Sequence, residues 1–264
     1  MDACENGDYP SVIKILDSIK DFNIDVTDNL GRSALRLAVE NEHLEVCWFT
    51  VFGTFQFTLF INSNINISKI VQALLDKSEN AKIMEALLLS IYIGHTQIAE
   101  SILRHPKYKV LSDKKFNTGD TDSFWQTPSS DDAQFSPDIT PLMLAAQYNR
   151  TEIVQILLIN GHRITKPHDF HCKCNECINR FKFDSLRHAQ SRLNAYRGLA
   201  SEAYISLASI DPILTAFELG RELRILSTKE KYFRVSLVLL FISLINVFWM
   251  NNFFYQERIS SNSR

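Results

Sequence analysis

Residues 168–177 read "HDFHCKCNEC", three cysteines and two histidines within ten positions of a chain that holds only five cysteines in 264 residues. His168, Cys172, Cys174 and Cys177 fall in the spacing H-x3-C-x-C-x2-C. One imidazole and three potential thiolates form a soft N/S donor set, the kind that tetrahedral zinc selects. Four protein ligands leave no position for water, so such a site is structural rather than catalytic. The ligands must shed protons, which couples metal binding to local folding. His171 competes with His168 for the nitrogen position. The alternative is a loop of free or transiently oxidised thiols. A catalytic thiol is disfavoured, because spacing fixes no histidine or carboxylate beside these cysteines. A zinc enzyme would need an open coordination position and a general base, and the closed set offers neither clearly. Cys4 and Cys47 stand in helical positions and read as small buried hydrophobes.

The surrounding composition sets the compartment. The N-terminal stretch "MDACENGDYP" is polar and has no apolar core, so it does not read as a signal peptide. A reducing compartment is the expectation, where clustered thiols mean metal or redox chemistry more often than disulfides. Charge is nearly balanced, with 28 Lys+Arg against 30 Asp+Glu, which argues against a nucleic-acid binder. Two runs carry no charge, residues 46–68 and residues 235–256. Both reach the roughly 20 residues that a membrane-spanning helix needs.

The elements that position the thiol cluster are read from internal repetition. Residues 138–161, "DITPLMLAAQYNRTEIVQILLING", contain two short helical patterns. Thr140 suits an N-cap and Pro141 the first helical position. Thr151 is expected to cap the second helix, and Gly161 to close it in a left-handed conformation. The unit resembles the ankyrin consensus "TPLHxA". Its small-residue position recurs at Ala3, Ala38, Ser90 and Ala145. The spacing from Ala3 to Ala38 is close to the ankyrin period of about 33, and the wider later spacings require insertions. Each repeat needs a neighbour to cover its face, so the stack implies protein interaction and no chemistry of its own. The run at 46–68 interrupts the second repeat. It reads as an irregular insert, a membrane span, or non-native translated sequence such as a retained intron, with the span least favoured because it would put repeats on opposite sides of a membrane. Residues 109–138 hold a polar connection. Further on, Asp211-Pro212 is a strong helix start, and Ala216, Leu219, Leu223 and Leu226 form an apolar stripe that requires another helix over it. Arg192 and Arg197, on the preceding small-residue-rich helix, read as surface or salt-bridging groups.

Four ordered motifs carry a more specific resemblance: "FSPDITPLMLAAQ" (135–147), "PHDFHCKCNEC" (167–177), "SRLNAYRGLAS" (191–201) and "DPILTAFELGREL" (211–223). The chain resembles the cytosolic N-terminal region of transient receptor potential cation channels of the TRPC type. The resemblance implies an ankyrin stack followed by linker helices, within a tetrameric, calcium-permeable, non-selective cation channel. It also implies a structural zinc site on His168, Cys172, Cys174 and Cys177, which disfavours His171. After Arg234 the sequence departs from the family pattern.

The expected architecture is all-α. Degenerate ankyrin repeats occupy 1–110 with the Phe-rich insert at 46–68, followed by a polar loop at 111–134 and the last repeat at 135–161. The zinc site and linker helices take 162–234, and 235–256 is a candidate transmembrane helix. Lys229, Lys231 and Arg234 suit a cytoplasmic flank for that segment; a native reading frame ending near Arg234 is the other reading. The expected function is the cytosolic N-terminal portion of a channel subunit, serving assembly and protein interaction and lacking the pore; it is not an enzyme. The alternative is a stand-alone ankyrin adaptor or dominant-negative regulator of such channels. Expected partners are other channel subunits, cytosolic proteins on the ankyrin stack, and the membrane if 235–256 spans it. Residues 1–234 are then cytosolic at the plasma membrane, or the whole chain is cytosolic if 235–256 does not span.

Overall fold

The structure is a computed structural model that describes residues 2–18, 25–41, 69–75, 78, 80–109, 135–136 and 138–244. The insert at 46–68, the loop at 111–134, His43, Cys47 and the second half of the 235–256 segment lie outside these residues. The described residues are helical and contain no strand, only an isolated antiparallel bridge between Thr27 and Ser33. They divide into two compact units.

The first unit holds α1 (Asp2–Glu5), α2 (Tyr9–Ser18), α3 (Ala34–Glu40), α4 (residues 69–75), α5 (Asn80–Ile93) and α6 (Thr96–Arg104). Before α3, Asp28 Oδ1 accepts from the N–H of Leu30 at 2.9 Å and of Arg32 at 2.8 Å, which folds the turn. Ser33 then caps α3 by accepting from the Arg36 N–H. Leu35, Leu37 and Ala38 are buried, as is Ser90 at the matching position of α5. Four residues beyond the small-residue position the chain must reverse between two antiparallel helices. Gly7 (φ 69°), Gly94 (φ 105°) and Asn149 (φ 51°) stand there, all left-handed.

The second unit holds α7 (Pro141–Gln147), α8 (Thr151–Ile159), α9 (Asn175–Phe183), α10 (Ser185–Leu199), α11 (Glu202–Ala208), α12 (Pro212–Lys229) and α13 (residues 234–244). Thr140 caps α7 with Pro141 in the first turn, and Gly161 takes φ 85°, both as expected. Thr151 is instead the first helical residue of α8; Arg150 holds the cap position and makes no side-chain cap bond. The reversal at Asn149 leaves no extended residue for Thr151 to occupy. Helix α7 packs on α10, and α8 on α11. Gly198 on α10 makes the first contact close: a Cβ there would stand 2.8 Å from Ile164 Cδ1 and 3.4 Å from Met143 Cα.

Asp211 caps α12 by accepting from the Leu214 N–H at 3.0 Å. The apolar stripe is covered within the chain. Leu219, Leu223 and Leu226 join Leu193, Tyr196, Ile205, Leu237 and Leu244 in one buried cluster, with Ala216 packed against it. The described part of the uncharged C-terminal run is therefore the packed helix α13, with Leu237 and Leu244 inward. Among the described residues no helix is long and apolar enough to cross a membrane. A run without charges satisfies a length criterion for a span, but here every third or fourth residue is taken up by a protein core.

Arg192 takes the salt-bridging alternative of its expectation, but in a buried position. It is 7% exposed and pairs through Nη1 with Glu230 Oε2 at 3.4 Å, also 7% exposed. Its Nη2 donates to His188 Nε2 at 3.1 Å. Burial, reinforced by the neighbouring Arg192 and Arg180 charges, pushes the His188 imidazole down to about 4, so it is the neutral acceptor that Arg192 needs.

Two stability measurements test these contacts. Gly198→Ala should leave stability within about 1 kcal/mol, because the helix-propensity gain offsets displacement of the flexible Ile164 tip. Gly198→Val should lower it by about 1–3 kcal/mol. Urea unfolding of both variants decides, and an unaffected Val variant removes the close approach. Glu230→Ala strands a buried cation and should cost about 3–5 kcal/mol, whereas the double change Arg192→Met with Glu230→Leu should recover most of that loss.

Candidate metal centre

Between α8 and α9 the chain runs from His162 to Lys173 without helix or strand. Its entry is fixed by the His162 N–H donating to Leu157 O at 3.0 Å and by the buried Ile164, whose N–H donates to Tyr204 Oη at 3.2 Å. A turn follows in which the Cys172 N–H donates to Asp169 O at 2.9 Å, bringing Cys172 back over His168. Cys174 is the N-cap of α9, and its Sγ accepts from the Cys177 N–H at 3.4 Å. Helix α9 thus starts at the cluster, with its N-terminal partial positive charge beside the thiols.

The four residues singled out by spacing come together. His168 Nδ1 lies 3.6 Å from Cys172 Sγ, 3.4 Å from Cys174 Sγ and 3.3 Å from Cys177 Sγ. All four donor atoms lie within 4.8 Å of one another. A tetrahedral ion with metal–sulfur bonds near 2.3 Å and metal–nitrogen bonds near 2.0 Å requires N···S separations of about 3.6 Å and S···S separations of about 3.8 Å. The donor set fits that shape with small adjustments. His171 does not join it; its ring meets Phe170 edge-on at a centroid distance of 5.2 Å.

The thiols are electrostatically unequal. The Cys177 N–H, with hydrogen bonds from the Cys177, His168 and Cys172 side chains, draws the Cys174 thiol down to about 6. Burial pushes the Cys177 thiol up to about 12, and the adjacent Cys174 and Cys172 sulfurs push the same way. The first thiolate forms readily and the last is resisted, because like charges crowd one small volume. A divalent cation at the centre removes that resistance. The arrangement could hold a metal ion with ligands supplied by the chain; among the described residues it is the cluster of this kind.

Sequence reasoning missed the residues that seat the loop. Phe170, between ligands His168 and Cys172, packs against the apolar cluster of α10, α12 and α13. The Arg192 guanidinium carbon lies 5.2 Å from its ring centroid. The position of Phe170 inside the ligand motif was the available signal.

Comparison with known proteins agrees with this architecture. Residues 172–234 match the family model described as transient receptor ion channel II, and residues 59–168 match a model of three ankyrin repeats. The chain is 42% identical over 239 residues to the Homo sapiens protein named short transient receptor potential channel 3, covering 89% of this chain and 23% of that protein. It is 38% identical over 235 residues to the Drosophila melanogaster transient receptor potential-gamma protein, covering 88% of this chain and 18% of that one. It is 36% identical over 244 residues to the Mus musculus short transient receptor potential channel 4, covering 89% and 21%. The chain spans less than a quarter of the length of these relatives. Ankyrin repeats, the transient receptor ion channel segment and this extended similarity place the chain in the transient receptor potential family, as a TRPC-type N-terminal region.

Proposed function

We propose that this chain is the cytosolic N-terminal portion of a calcium-permeable, non-selective cation channel subunit, and that its work is assembly and protein interaction. The observation that carries the reading is the similarity over 89% of the chain to a protein named as a channel, combined with an ankyrin-type unit whose helices pack against the linker helices. The described residues hold no helix able to line a pore. Subunit contacts, ankyrin-bound cytosolic partners and a plasma-membrane location belong to the full-length parent and follow from that reading. The domain assignment is ankyrin repeats to residue 161 and linker helices from 162 to 234.

The metal is zinc, bound by His168, Cys172, Cys174 and Cys177, and its role is structural. Three sulfurs and one nitrogen in tetrahedral reach support zinc over hard cations such as magnesium or calcium, which prefer oxygen. His168 would supply its Nδ1 and the three cysteines their thiolates. No ligand position is left for a reacting water, so the ion closes the loop and catalyses nothing.

Three outcomes are expected. Purified chain should carry about one zinc by mass spectrometry, and Cys174→Ser should carry well under half as much. Zinc affinity should rise with pH: Cys177 is protonated across the neutral range, and binding expels that proton. Each displaced proton makes the affinity fall about tenfold per unit of acidification. A competition titration between pH 8 and pH 6 reads this slope, and a flat profile removes the thiolate ligands. For the channel reading, the chain is co-expressed with the human relative named above. Co-purification in detergent with a reduced cation current is expected. A chain that neither associates with the channel nor changes its current defeats the assembly role.

A further inference from the structure

The Cys/His loop is connected to the far end of the linker helices by a short line of contacts centred on the buried Arg192–Glu230 pair. Phe170 is carried on the loop between two ligands. Its ring covers the Arg192 guanidinium at 5.2 Å and packs on the apolar cluster. Arg192 reaches across to Glu230 at 3.4 Å. Glu230 is the C-cap of α12: its N–H donates to Leu226 O at 2.8 Å, and its Oε1 accepts from the Lys231 N–H at 3.1 Å. Two residues on, Tyr232 Oη lies 3.4 Å from Ser185 Oγ at the start of α10. Phe233 packs on the same cluster, and its carbonyl accepts from the Leu237 N–H in the first turn of α13 at 3.0 Å.

We propose that occupancy of the Cys/His metal site sets the order of the 230–233 turn and of α13, acting through Phe170, Arg192 and Glu230. The inference rests on the metal reading given above. The 162–173 segment has no secondary structure, so the ion is what closes it around Phe170. A cavity of about 290 Å³ lies alongside, with Cys172, Cys177, Phe170, Arg192 and Glu230 among its lining residues. When the ligands part, Phe170 loses its seat and water gains a route to the ion pair. A buried pair is held by the absence of water, and hydration loosens it sharply. Glu230 then loses the charge that holds it as the cap, and the turn feeding α13 is released. Arg192 and Glu230 are positioning residues in this scheme and bind no metal.

Hydrogen exchange on the full 264-residue chain, read by mass spectrometry with zinc content measured in parallel, tests the route. Stripping zinc with a chelator should speed exchange across 226–244 at least tenfold, reversed by added zinc, while α8 stays protected. Phe170→Ala should still take up about one zinc yet exchange at 226–244 identically with and without it. Where Phe170→Ala leaves α8 unprotected, Glu230→Gln takes its place with the same expectation. Unchanged exchange in a wild-type chain that demonstrably gains and loses zinc overturns the relay and leaves the metal centre intact. Full zinc dependence in the folded variant overturns the route through these residues. A wild-type chain that takes up no zinc overturns the metal centre and the relay together.

Discussion

A segment with no backbone ladder must be held by its side chains, and the stretch from His162 to Lys173 is such a segment. Ordering each residue costs about 1–2 kcal/mol of backbone entropy, with no regular hydrogen bonding to offset it. The structure meets this with three pins. Ile164 is buried against Gly198 and bonded through its N–H to Tyr204. Phe170 is seated under Arg192. The four donor atoms of the Cys/His cluster meet in the remainder, all within 4.8 Å of one another. The third pin differs in kind from the others: in the zinc reading proposed above, crowded thiols that repel once ionised are held together by a cation. On that reading the loop is ordered by burial at its entry and by charge at its exit. The helices it joins depend on both.

The last ankyrin-type unit faces the same question of cover. A repeat buries its face only against a neighbour. Here α10 covers α7 and α11 covers α8. The sequence of the repeat is adapted to that cover at its reversal. Asn149 supplies the left-handed turn that glycine supplies at Gly7 and Gly94, and its Oδ1 accepts from the Ala203 N–H at 3.3 Å. One side chain therefore shapes the repeat and caps the first turn of the helix that covers it. Gln147 adds a second tie, donating to Asn194 O at 3.2 Å. The repeat and the linker helices pack together in this unit.

Much of this was legible in the residues. Caps are local, so Thr140, Asp211 and Pro212 announce their helices without tertiary context. The meeting of His168, Cys172, Cys174 and Cys177 was legible in residue type and spacing, which together read as a donor set. The stripe at Ala216, Leu219, Leu223 and Leu226 predicted a covering helix, but not which one. Thr151 misled because a threonine before an apolar run is compatible with the cap or with the first turn, and the preceding reversal decides. The uncharged run after Arg234 lies half outside the described residues, and its described part, 235–244, packs as protein core. Length and lack of charge are what a membrane selects, and a tightly packed helix can share them. The distinction lies in which side chains face protein: Leu237 and Leu244 are buried, while Val235, Leu239 and Ile242 are exposed.

The Arg192–Glu230 pair was the least legible feature, since arginine on a polar helix ordinarily points to water. Its burial is not explained by stability. Desolvating two charges costs several kcal/mol each, and an apolar pair of similar volume is often as stable or more so. What the pair supplies is register. An apolar contact tolerates sliding, whereas a buried cation that meets one carboxylate, one neutral imidazole and one aromatic face is held to their geometry, even with its Nε left unpaired. Each of those partners comes from a different place: Glu230 from the end of α12, His188 from α10 itself and Phe170 from the metal loop. Three parts of the chain are fixed at once by one guanidinium. Removing Glu230 would leave the guanidinium without its carboxylate, so the end of α12 and the loop that carries Phe170 meet at one charge.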